Sequence, residues 1–188
     1  IGATNIKAKA YKTGYQPSST ATFNYTIQTV ATPTSSQPSG NVDYNSQVIL
    51  STTTTGATIR YTLNGTEPTE SSSIYSAPFT ITGTTNIKAK AYKTGWQPSV
   101  IVSFNYTVQT VATPTASQAS GNVNYNSQVS LSTTTSGATI RYTLDGTEPT
   151  ENSSIYSTPF TITGTTNIKA KAYKTGWQPS VIVSFNYT

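Results

Sequence analysis

The sequence predicts an all-β chain of tandem antiparallel β-sandwiches, about seven strands to the unit. Three observations carry that expectation. The stretch Thr85–Ser99 recurs unchanged at Thr166–Ser180 and, with Tyr15 in place of Trp, at Thr4–Ser18; Gly2, Gly83 and Gly164 mark a period of 81 residues. Apolar residues inside each copy alternate with a period of two, not 3.6. Turn residues punctuate the chain at short, regular intervals, as strands of a sandwich require.

Taken in order, residues 1–29 match 82–110 and read as the C-terminal portion of a repeat, so the chain looks like an internal piece of something longer. Residues 30–110 form one complete copy, opening at Val30-Ala31-Thr32-Pro33; residues 111–188 form a second, opening at Val111-Ala112-Thr113-Pro114. The two differ at Ser35/Ala116, Pro38/Ala119, Asp43/Asn124, Ile49/Ser130, Thr55/Ser136, Asn64/Asp145, Ser71/Asn152 and Ala77/Thr158. Repeats this alike and this regular form linear arrays. The connector ends in Pro, which limits bending.

Within a copy, Gln47–Ser51 and Pro78–Thr82 are short strand candidates. Thr58–Leu63 turns Ile59, Tyr61 and Leu63 inward and Arg60 outward. Asn86–Lys93 buries Ile87, Ala89 and Ala91 and presents Lys88, Lys90 and Tyr92. Val100–Tyr106 turns Val100, Val102, Phe104 and Tyr106 inward. Pro38–Asn41, Thr55-Gly56, Asn64-Gly65, Gly83 and Gly95 with Pro98 supply the turns. Asn64, or Asp145 in the second copy, suits a turn because both residue types tolerate the left-handed region.

Composition excludes whole classes of chemistry. The chain has no Cys, Met or His, and only 9% of its residues are charged. No disulfide or thiolate site can form, and the usual general base near neutral pH is missing. No apolar run of 18 residues exists, so no membrane insertion is expected. The net charge of +5 gathers in the lysine-bearing strands, a weak pointer to an anionic partner.

The run GATIRYTLNGTEPT at 56–69, its copy GATIRYTLDGTEPT at 137–150, Ser73-Ile74-Tyr75, Pro78–Ile81 and the lysine strand together resemble the chitobiase/β-hexosaminidase C-terminal domain family. The resemblance covers each complete copy almost end to end. It implies an immunoglobulin-like, fibronectin type III-like sandwich from secreted or surface-exposed proteins of bacteria and archaea. The enzymatic name belongs to a separate barrel domain, so no catalytic residue, cofactor or metal is carried over.

Candidate chemistry is sparse. A glycosidase needs two facing carboxylates, and the chain has six acids in all. Asp43 becomes Asn124 and Asp145 was Asn64, which suits turns and not catalysis. Glu67 and Glu70, with Glu148 and Glu151, read as solvated turn carboxylates rather than Ca²⁺ ligands. Tyr15, Trp96 and Trp177 sit at a hairpin tip, where the ring either caps a sandwich end or stacks on a sugar. Arg60, Lys88 and Lys90, with Arg141, Lys169 and Lys171, form outward cationic stripes. They are either a solvated face that discourages edge pairing or contacts for an anionic glycan; nucleic acid is disfavoured by the small number of cations. The Asn24, Asn64, Asn105, Asn152 and Asn186 sequons read as accidental in a bacterial protein, and a Lys–Asn crosslink is disfavoured by outward lysines. The inner face of 1–29 (Ile6, Ala8, Ala10, Phe23, Tyr25) needs a cover, for which another copy of the repeat by strand complementation is the sharper hypothesis. The expected role is a structural spacer, stalk or filament segment of an extracellular or cell-surface protein. The alternative is a carbohydrate-binding accessory module for cell-wall or other polysaccharide.

Overall fold

A computed structural model describes residues 3–188; Ile1 and Gly2, the first marker of the period, lie outside it. Every regular element among the described residues is a strand, so no helix is long and apolar enough to cross a membrane. Contacts between Cα atoms divide the chain into two compact units. Among the described residues, one holds 3–38, Val48–Phe79 and Asn86–Asn105; the other holds Ser39–Gln47, Thr80–Thr85 and Tyr106–Thr188.

The second copy lies wholly in the second unit and shows the architecture. Its larger sheet has the order Ser154–Ile155, Thr139–Thr143, Thr166–Tyr173, Val183–Tyr187. Thr139–Thr143 runs antiparallel to Thr166–Tyr173 with Arg141 opposite Lys171. Thr166–Tyr173 runs antiparallel to Val183–Tyr187 with Ile168 opposite Phe185. The opposing layer is made of short pairs, Thr115–Ala116 with Leu131–Ser132 and Ser127–Val129 with Phe160–Ile162. Ser127–Val129 and Leu131–Ser132 are one extended run broken only at Ser130, where the chain changes partner. Counted so, the copy has seven strands, as expected.

Period-two patterning explains the core. Ile168, Ala170 and Ala172 are fully buried while Lys169, Lys171 and Tyr173 between them stay half-exposed. The small alanines let the facing layer approach, and larger residues fill the space. Val111, Val129, Leu131, Ile140, Ile162 and Tyr187 complete the buried cluster, with Tyr142, Phe160, Trp177 and Phe185 at its margin. The Tyr142 ring meets Phe160 edge-on at 4.8 Å. The Tyr187 hydroxyl donates to Gln118 O at 3.0 Å, so the buried phenol is satisfied.

The first copy repeats this plan. Thr58–Thr62, Thr85–Tyr92 and Val102–Thr107 share a sheet with Ser73–Ile74 and with Gly40–Asn41. Ile59, Ile87, Ala89, Ala91 and Tyr106 are buried, and Pro33 and Pro114 are fully buried.

Three expectations are corrected. Leu63 is exposed, as is Leu144, because the strand ends at Thr62 and the turn carries Leu63 off the inner face. Val100 is exposed because pairing resumes only at Val102. Ser99 goes inside instead: its hydroxyl accepts from Ala91 N and donates to Val100 O. Asn64 and Asp145 do not take the left-handed conformation; Gly65 and Gly146 do. Asn64 Oδ1 instead accepts from the Thr66 amide and hydroxyl, so the position needs a side-chain acceptor.

The segment Ala3–Ala8 pairs with Ala21–Thr26 in the same phase as the complete copies, with Ile6 opposite Phe23. All of its side chains are exposed. Each complete copy already holds its own lysine hairpin, so complementation by this segment requires displacing an equal partner.

Candidate functional site

Each copy carries one groove beside its tryptophan hairpin, built where the lysine strand turns over. Lys93 O accepts from Trp96 N at 3.0 Å, and Gly95 takes a φ of 78°, a value glycine adopts without steric cost. The groove, about 530 Å³, is lined by Arg60, Glu70, Tyr92, Lys93, Trp96 and Pro98 among others.

Three of its polar side chains are engaged with backbone. Arg60 Nη1 donates to Ser72 O, Tyr92 OH to Pro68 O, and Lys93 Nζ to Thr55 O, each at 2.8 Å. The Lys93 ammonium also lies 4.5 Å from the Trp96 ring centroid, a cation–π contact. These bonds pin the 66–72 and 52–57 loops to the sheet. Burial raises the Tyr92 phenol above its ordinary pKa; the Glu70 charge adds to this and Arg60 partly opposes it. Tyr173 is raised in the same way, by burial first and then Glu151, against Arg141.

The second copy repeats every contact. Arg141 bonds Ser153 O, Tyr173 bonds Pro149 O and Lys174 bonds Ser136 O, with Lys174 Nζ 4.2 Å from the Trp177 centroid. Its groove, about 560 Å³, has two additional walls, Tyr44 and Asn45. Tyr44 N donates to Gly176 O at 2.8 Å. The Asp43 carboxylate lies so near Gly176 that a Cβ there would sit 2.6 Å from Oδ1. The turn relies on Asn45 in the left-handed region, as does Asn126 in the second copy. That turn escaped the sequence reading, although Asn before Ser at both positions is its signal.

The cationic stripes fall where alternation put them. Lys90 stands directly opposite Arg60 and Lys171 opposite Arg141, while Lys88 and Lys169 face Thr62 and Thr143. Trp96 and Trp177 are half-buried, and Trp177 packs against the core cluster. Tyr15 is exposed and lies under Lys12 on the separate hairpin, and lines neither of these two grooves. Asp145 Oδ1 accepts from Thr147 N and Oγ1; these hydrogen bonds hold its carboxyl below the usual range. Among the described residues no cluster of three or more Asp, Glu, His or Cys is placed to hold a metal.

The model of the family described as "Chitobiase/beta-hexosaminidase C-terminal domain" matches residues 37–103 and 118–184. No curated protein matches the chain. Among solved structures, the chain is similar to Drosophila N-cadherin EC1-3, at 11% identity and a TM-score of 0.22, covering 82% of this chain and 65% of that one. The chain thus spans less than two thirds of that structure, and nothing below rests on this likeness.

Proposed function

The chain belongs to the chitobiase/β-hexosaminidase C-terminal domain family, and from that premise we propose that it is a spacer or stalk segment of an extracellular or cell-surface protein. The copies are read as 30–110 and 111–188, preceded by the 1–29 portion, and the role as mechanical rather than catalytic. One observation carries this best: the connectors are built into the sandwiches they precede. Gln178 N donates to Gln109 O and Val111 N to Gln178 O, at 2.8 and 2.9 Å. The first copy does the same, with Gln97 N to Gln28 O and Val30 N to Gln97 O. Pro33 and Pro114 are buried just beyond. A connector so fixed resists extension, which suits a spacer.

The test is amide hydrogen exchange. The Val30, Gln97, Val111 and Gln178 amides are expected to exchange as slowly as the flanking strands. Exchange at the rate of open chain would remove the basis of the spacer role. Protease shaving of intact source cells checks the compartment: release of the repeat supports a surface position, and protection contradicts it.

A further inference from the structure

We infer that the groove beside Trp177 binds an acidic saccharide, a carboxylate-bearing sugar such as a uronic acid unit of a polysaccharide. Arg141 lines the groove and stands in register opposite Lys171, which is not itself a wall but whose ammonium lies 5.6 Å from the ring centroid of Tyr173, which is one. Like charges directly opposite destabilise a sheet, and an anion held between them would relieve that repulsion. Arg141 commits Nη1 to Ser153 O, and the guanidinium has further N–H donors to offer.

The rest of the lining narrows the ligand. Glu151 lies in the same groove, where its carboxylate accepts from the hydroxyls of a sugar. Two opposed cations add nothing for a neutral sugar. Tyr44 and Tyr173 supply ring surface for the apolar C–H face of a pyranose, beside the Trp177 ring that Lys174 covers. The Tyr173 hydroxyl is held by Pro149 O, so its ring is fixed in place before any ligand arrives. The first copy has the matching Arg60–Lys90 pair, Glu70, Tyr92 and Trp96 but no turn beside Gly95. It is the weaker of two sites on one chain. Tyr125, the counterpart of Tyr44, is 75% exposed.

The site stands apart from the spacer role: bare grooves would end this inference and leave the spacer untouched. The experiment is affinity electrophoresis of the whole chain through gels containing polygalacturonate or, separately, neutral hydroxyethylcellulose. Retardation is expected in the acidic gel only, fading between about 0.05 and about 0.5 M salt as screening shortens. A basic protein also drifts onto any polyanion, so charge-matched variants decide the matter. Lys90→Gln with Lys171→Gln is expected to weaken retardation about fivefold, the effect of losing modest surface charge contacts, without lowering the melting temperature. Lys9→Gln with Lys12→Gln, on the separate hairpin, removes the same charge and is expected to change it little. Tyr44→Ala, which alters no charge, is expected to weaken it as well. Equal loss in the two lysine pairs, equal retardation by both polymers, or retardation by neither would overturn the site.

Discussion

The hairpin at residues 3–26 and the hairpin at 166–187 have nearly the same sequence and the same strand register, yet opposite surroundings. Ile6 faces Phe23 in one and Ile168 faces Phe185 in the other. Ile6 and Tyr25 are 48% and 56% exposed, whereas Ile168 and Tyr187 are fully buried. Pairing is therefore written into the local alternation, and burial into the 50-odd residues that come before the hairpin in a complete copy. A two-stranded ribbon alone is only marginally stable in water; the same ribbon with a second layer becomes the floor of a core.

The comparison breaks most visibly at the tyrosines. Tyr187→Ala empties a fully buried site and strips Gln118 O of its donor. It is expected to cost about 3–5 kcal/mol, as for other buried aromatic truncations. Tyr25→Ala, at the equivalent place in the open hairpin, is expected to cost under about 0.5 kcal/mol, the range of surface changes. Urea denaturation of the two variants measures both. Similar costs would mean that the 3–26 hairpin is covered in solution.

A smaller effect sharpens the contrast between the complete copies. Gly95 and Gly176 share a left-handed φ, 78° and 76°, so alanine strains each by about 1–2 kcal/mol. Only Gly176 has Asp43 against it. Gly176→Ala is expected to lose about 1 kcal/mol more than Gly95→Ala through overpacking. Adding Asp43→Ala is expected to return the difference, in a double-mutant cycle read by urea midpoints. If Asp43→Ala restores nothing, the turn does not press on this glycine.

What the residues disclosed in advance follows the same division. Alternation along Asn86–Lys93 gave the buried and wet faces correctly, because side-chain direction in a strand has a fixed period; which cation stands opposite which follows from the register between strands. The family resemblance rested on motif residues in both copies and is shown over 37–103 and 118–184. Features set by single turns were hidden. Leu63 looks inward by phase but lies one residue past its strand. Ser99 looks like loop and is buried, because its hydroxyl stands in for a strand partner of Ala91. The Asp43–Asn45 turn adds two walls to the Trp177 groove from far away in sequence, a contact that no local pattern contains.

The smallest expected effect isolates one proton. Asn64 and Asp145 hold equivalent turns through the same two bonds, from the amide and hydroxyl of Thr66 and of Thr147. Only the aspartate titrates. Its carboxyl is lowered in the folded chain, chiefly by the Thr147 hydroxyl and then by the Thr147 amide, because both bonds favour the charged form. The unfolded chain therefore binds this proton more readily. The stabilisation is present above the ordinary carboxylate range near pH 4 and is lost as pH falls through the lowered folded value. Asp145→Asn should keep the turn and remove that dependence. Melting temperatures of the variant are expected to fall less than those of the parent on acidification across this window, and to match them near neutrality within about 2 °C. Parallel acid limbs would mean that the Thr147 bonds serve the turn without preferring the charged carboxylate.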